Sequence, residues 1–369
     1  MLVENDYGRG KSIGSALALV AAFLCGCGSS GKSDRAKVLE ELSSSVLLPG
    51  YEELDTESQT LADAVAAYCA APEAAALDTA REAWRAARRS YRRTAAFQMG
   101  PSQDLRLASA LDFWPVREQD VENAISNAPA APDASYLATL GVAARGFPAL
   151  EYLLFDPNDA ALRLGAGDAI AAQRCAYAAL LAVDVHEQSA QARASWQGFA
   201  AALAQAGEPG SSVTSTQAGI DLVLNSVAAA MVDVTDGDLA RPLGEKAGGV
   251  PQPELCESRY AGDSIADYQA ALESARNIWV GARQGERGRG LTLLVRRHDI
   301  SFDERVRVMF STTHERSSAI SAPLPIALES DRASVESTLE AARELRRVMS
   351  TEVVQVIGGT LTFSDNDGD

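Results

Sequence analysis

Apolar residues in this chain return every three or four positions, and no stretch sustains the every-second-residue alternation of a half-buried strand. Leu77, Ala80, Trp84, Ala87 and Tyr91 step along one predicted helix, which Pro72-Glu73 opens and Gly100-Pro101 ends. Tyr177, Leu181, Trp196, Phe199 and Leu203 mark a second over Ile170 to Ala206, about 55 Å long at 1.5 Å per residue. Ile220, Val223, Leu224, Val227, Met231 and Val234 mark a third, and Val335 through Val356, closed by Gly358-Gly359, the last. Ser301 to Glu304 is read as a capping box opening a further helix. An alanine-rich chain low in aromatics (6%) suits such helices, because alanine loses no rotamer entropy on entering one. The spacing therefore predicts an all-α protein built as two helical-bundle lobes with a cleft at their interface. Pro157, Asn158, Gly165 and Gly167 set the expected boundary, giving an N-terminal lobe over 37–158 and a C-terminal lobe over 168–369.

A net charge of -17 repels phosphate backbones, so nucleic acid is not an expected partner. Near the N-terminus, Arg9 and Lys11 precede Ile13–Leu24, an apolar run of about twelve residues, too short to span a bilayer and laid out as a secretory signal. Leu24-Cys25-Gly26-Cys27 resembles the bacterial lipoprotein cleavage box. That resemblance implies a signal peptide over 1–26, acylation of Cys27 and, with Gly28 rather than Asp next, an outer-membrane anchor facing the periplasm. Residues 27–36 read as a flexible tether. Gly26 to Ser33 also fits the phosphate-loop pattern, but no strand precedes it and cleavage would divide it. Three cysteines then remain; Cys69 and Cys175, both in helical patterns, are the expected disulfide, leaving Cys256 over.

Few side chains could support catalysis. His186-Glu187 and His314-Glu315 each begin the zinc-hydrolase pattern H-E-x-x-H, but Ala190 and Ser318 hold the second histidine position. No G-x-S-x-G serine elbow is present, and the acidic end Asp365–Asp369 stops before a calcium loop could close. The remaining anomaly is Glu151, a carboxylate within the apolar run Gly146–Phe155. On a helix running from Ser135 to Phe155, Leu140 and Glu151 would lie within about 20° of each other, turning Glu151 inward. Pro148 would kink that helix, and Gly146 would let another backbone approach. A buried carboxylate must be paired, hydrogen-bonded or neutralised. Two readings stand: a core glutamate satisfied by Arg88 or by loop N–H groups, or a carboxylate lining the cleft.

Several stretches, in order, resemble the imelysin-like family of exported bacterial proteins associated with iron uptake, some of them described as peptidases. These are Trp84 to Tyr91, Phe97–Pro101, Phe113–Pro115, Gly146–Phe155, Arg174–Tyr177, Glu257–Tyr260 with Ser264, and Phe363–Asp369. The resemblance implies a two-lobed helical fold with a pocket where the lobes meet. It also exposes departures. The family signature is G-x-H-x-x-E; Gly146 and Glu151 bracket it here, while Pro148 holds the histidine position, as in a lipoprotein branch of the family. Ala95 and Ala96 stand where the family often has a glutamate. A lone glutamate is a poor transition-metal site. The expectation is a lipid-anchored, non-catalytic binding or accessory protein of iron acquisition. Its partners would be the membrane, through its anchor, and an iron-uptake receptor or small ligand. Its cleft would be built by Glu151, Gly146, Pro148, Arg88, Trp84, Trp114, Ser258 and Tyr260, with Arg88 as counter-charge to Glu151. The alternatives are a metallopeptidase with a divergent site for iron or another divalent metal, recruiting His186 or aspartates of residues 236–258, and a purely structural module.

Overall fold

The computed structural model describes residues 32–155, 164, 165, 167–283, 285 and 287–362. The signal peptide, the first half of the tether with Cys27, part of the expected boundary and the acidic C-terminus lie outside them. Ser33–Asp369 is one compact unit, and no strand forms among the described residues.

The principal helices are α1 (Asp34–Leu42), α2 (Leu48–Ala70), α3 (Ala74–Arg92), α4 (Gly146–Phe155), α5 (Ala169–Ala204), α6 (Thr216–Val232), α7 (Ser264–Val280), α8 (Ile300–Ser318) and α9 (Arg332–Val348). Helix α1 starts inside the expected tether, because the Ser33 side chain accepts the N–H of Ala36 and caps it. Helix α8 is capped by Asp299, two residues before the expected box, through the N–H of Phe302.

Packing gathers α2, α3, α4 and α5 into one bundle and α6, α7, α8 and α9 into another, with α3 against α7 where they meet. The long helix α5 lies along α2 and is joined to it by the Cys69–Cys175 disulfide, Cα–Cα 5.5 Å. Helix α5, which follows the expected boundary at 158–168 in sequence, thus packs on α2, which precedes it. One continuous apolar core runs through both bundles, with Trp84, Tyr51, Tyr177 and Trp196 buried on the side of the first and Trp279 and Tyr268 on α7 of the second.

The predicted helix over 135–155 is not continuous. Ala134–Leu137 and Val142–Ala144 are single turns, Arg145 is extended, and α4 begins afresh at Gly146. Pro148 consequently lies in the first turn of α4, where its missing N–H has no intrahelical role, and no kink is needed. Gly146 adopts φ +72°, and a Cβ there would sit 2.4 Å from the carbonyl oxygen of Leu111. The close backbone approach read from this glycine is present. The Leu140–Glu151 geometry is not.

At the far end of α6 the ladder widens into a π-helix, Asp233–Ala240. Such local widening is common at functional sites because it re-aims side chains.

Candidate functional site

Along α3, Arg88 and Arg92 follow each other by one turn. Both are buried. A buried guanidinium needs carboxylates, and the fold converges them from several elements. Arg88 donates to Asp112, to Glu257 and, through Nε at 2.8 Å, to Asp267 on α7. Arg92 reaches Asp238 of the π-helix and lies 3.4 Å from Glu257. Ser258, held at φ +45°, donates its hydroxyl to Asp267 at 2.5 Å. Burial costs Arg88 part of its preference for charge, but Asp112, Asp267 and Glu257 more than offset this and hold it firmly cationic.

Glu151 is buried, and Arg88 is not its partner. Its Oε1 accepts the N–H groups of Tyr260 at 2.8 Å and Ala261 at 2.9 Å, tying α4 to the segment before α7. Burial pushes its carboxyl up to about 7, with the Ala261 N–H, Arg88 and the Tyr260 N–H acting in the opposite direction. Of the two sequence readings, the core glutamate satisfied by loop N–H groups is the one seen.

A cavity of about 370 Å³ does open between the bundles, and Glu151 is not among its lining residues. Asp112, Asp233, Asp238 and Glu257 supply its carboxylates, Arg92 and Arg241 its cations, and Trp114 its aromatic wall. The Arg241 guanidinium lies 5.4 Å from the Trp114 ring centre. Asp233 and Arg241 are exposed within it, whereas Asp112, Asp238 and Glu257 are engaged by Arg88 and Arg92. Burial raises the carboxyls of Glu257 and Asp238 against the pull of Arg92, and burial likewise raises Asp233.

Of the expected cleft residues, Trp114 lines this cavity. Arg88 and Ser258 stand in the network behind it. Trp84 is core, its Nε1 donating to the Phe147 carbonyl at 3.2 Å. Tyr260 bonds Glu118 through its hydroxyl and packs on Tyr152, ring centres 5.7 Å apart. Gly146, Pro148 and Glu151 belong to the structure beneath. The sequence reading passed over Asp112, Asp233, Arg92 and Arg241 as lining residues, and reached Asp238 only among the aspartates of residues 236–258 in the metallopeptidase alternative. Asp112 directly precedes the quoted Phe113-Trp114-Pro115 and Glu257 opens Glu257–Tyr260, so neighbourhood to those strings was the usable signal.

For a resident divalent metal the donor set is a poor fit. Among the described residues no three His, Cys, Asp or Glu side chains are grouped to hold an ion. His186 pairs with Asp55 at 3.3 Å and is not in the cavity lining.

An all-helical, paired-bundle protein with an arginine–carboxylate network beneath its central cavity is the class these features define. The family described as Imelysin (Peptidase_M75) matches residues 47–350, and the chain belongs to it. It is 25% identical over 359 residues to iron-regulated protein A of Synechococcus elongatus, covering 95% of this chain and 93% of that one. Two solved structures share the fold. One, from Parabacteroides distasonis and provisionally named an iron-regulated protein A precursor, has TM-score 0.75 at 21% identity, covering 89% of this chain and 96% of its own. The other, an imelysin-like protein from Psychrobacter arcticum, has TM-score 0.72 at 16% identity, covering 90% and 99%.

Proposed function

We propose that this protein is a periplasm-facing, outer-membrane-anchored binding or accessory protein of iron acquisition that works without catalysis. The observation that carries the reading is the state of the central cavity. Three of its four carboxylates are already bound by Arg88 and Arg92, and Trp114, Arg241 and Asp233 remain at the accessible surface. Such a lining recognises a polar ligand by stacking and hydrogen bonding, and with Arg88 counted its four carboxylates still outnumber the three arginines, Arg88, Arg92 and Arg241, favouring a cationic group.

Other features support the placement. Cys27 follows a lipoprotein-like box, and the Cys69–Cys175 disulfide suits an oxidising compartment. The link to iron rests on the names of the relatives. Pro148 at the family's imidazole position argues against inherited peptidase chemistry.

The test is metal analysis of purified protein combined with a protein-cleavage assay with and without chelator. The expected result is no stoichiometric metal and no chelator-sensitive cleavage; finding both would overturn the non-catalytic reading in favour of a metallopeptidase. In the native bacterium, the transcript is expected to rise on iron starvation, and an unchanged level would remove the link to iron.

A further inference from the structure

One arginine of the central cavity is held differently from the others. Arg88 and Arg92 are buried and bridge carboxylates. Arg241 is exposed at the cavity wall, with its guanidinium over the Trp114 ring and no ion pair among the described residues. We infer that Arg241 is a resident competitor. It sits where the cavity's ligand sits, and that ligand carries a planar guanidinium or amidinium group that stacks on Trp114 in its place. The inference rests on the reading of this cavity as a site for a cationic group and narrows that group to a planar one.

The surroundings define the seat. Trp114 offers a ring face, and a flat, weakly hydrated guanidinium stacks on such a face better than a compact, strongly hydrated ammonium does. Asp233 opens the π-helix and Arg241 directly follows it, so the widened turn delivers an anion and a cation to the lining of one cavity. Asp233 is exposed and, like Arg241, has no ion-pair partner among the described residues. Burial raises its carboxyl while Arg92 and Arg241 pull the other way, so the charge of Arg241 is felt there without an ion pair. Asp112, Asp238 and Glu257 are engaged by Arg88 and Arg92, which leaves Asp233 as the carboxylate for an incoming cation.

The hold on Arg241 is light. An exposed cation–π contact is a weak restraint, and a long side chain regains rotamer freedom on leaving it. An incoming guanidinium remakes the contact with Trp114 that Arg241 gives up, and the released side chain turns to water. Arg241 thereby sets a threshold: a cation that cannot stack does not displace it.

Calorimetric titration of the full-length mature protein at pH 8 with argininamide and lysinamide tests this, on the parent, Arg241→Ala, Trp114→Ala and the double variant. The parent is expected to bind argininamide more tightly than lysinamide. Arg241→Ala should bind argininamide more tightly than the parent by about fivefold or more, the scale of an exposed cation–π contact. In the Trp114→Ala background that gain should vanish, because it comes from the ring face that Arg241 vacates. A gain that persists without Trp114 would be a charge effect alone and would overturn the proposal, as would no gain, or lysinamide binding as tightly as argininamide. If argininamide binds neither the parent nor Arg241→Ala, the cationic reading of the cavity fails and this inference with it. If Trp114→Ala does not fold, Trp114→Leu, which keeps apolar bulk without the ring face, takes its place.

Discussion

At the scale of single residues, Glu151 and Arg88 show how a buried charge is settled in two ways. Glu151 is held near neutrality by burial. Its carboxyl sits at about 7 in the folded protein against 4.5 ordinarily, so the native state keeps a proton that the unfolded chain has released between those values. The sign follows: this group lowers stability as pH rises from about 4.5 to 7, and the loss is complete above. Glu151→Gln keeps an acceptor for Tyr260 and Ala261 and removes the ionisation. Thermal melts should therefore show a variant at least as stable as the parent at pH 8, with a flatter profile below. Glu151→Ala orphans both N–H groups and should cost roughly 1–3 kcal/mol at any pH. Arg88 is settled the other way, by three carboxylates. Arg88→Ala leaves them facing one another in the interior, an expected loss of roughly 3–5 kcal/mol by denaturant unfolding. Arg88→Lys should restore little, since one ammonium lacks the fork that reaches three partners. Inward placement of Glu151 was legible in the sequence. Its partners were not, because backbone donors from residues 260 and 261 leave no trace in side-chain identity.

Among elements, the helices were readable and their joints were not. The apolar periodicity of α3, α5, α6 and α9 reports burial directly, so these appear close to where they were expected. The run from 135 to 155 failed because composition there remained helical while three short-range effects intervened: extended Arg145, left-handed Gly146 and a proline that is harmless only in a first turn. The packing of α5 on α2, across the expected lobe boundary, was not legible for a different reason. Glycine and proline report flexibility along the chain, whereas α5 is assigned to its bundle by contact with α2 across a sequence separation of 106 at the disulfide. Closing a loop of that length restricts the unfolded chain strongly. Replacing Cys69 and Cys175 with serine should lower stability by roughly 2–5 kcal/mol, measured by chemical denaturation.

For the molecule as a whole, the predictions concern attachment and ligand charge. Cys27→Ser should release the protein from the membrane fraction and abolish palmitate labelling; retention in the membrane would discard the lipid anchor. In the central cavity, the carboxyls of Glu257, Asp238 and Asp233 are all raised by burial, so a bound cation favours their ionised forms. Titrating argininamide in buffers of different ionisation enthalpy should show proton release at neutral pH and tighter binding as pH rises, both diminished in Glu257→Gln. Overall architecture was legible because burial periodicity is written locally. The cavity was not, because Asp112, Asp238 and Glu257 come from separate segments that only folding brings to two arginines.

That convergence also limits how the molecule can move. Arg88 belongs to one bundle, while Glu257 and Asp267 come from the segments that build the other. A clamshell rocking of the halves would strip a desolvated guanidinium of its anions with no water to replace them. A ligand of the central cavity would then enter a preformed chamber by shifts of side chains at its mouth.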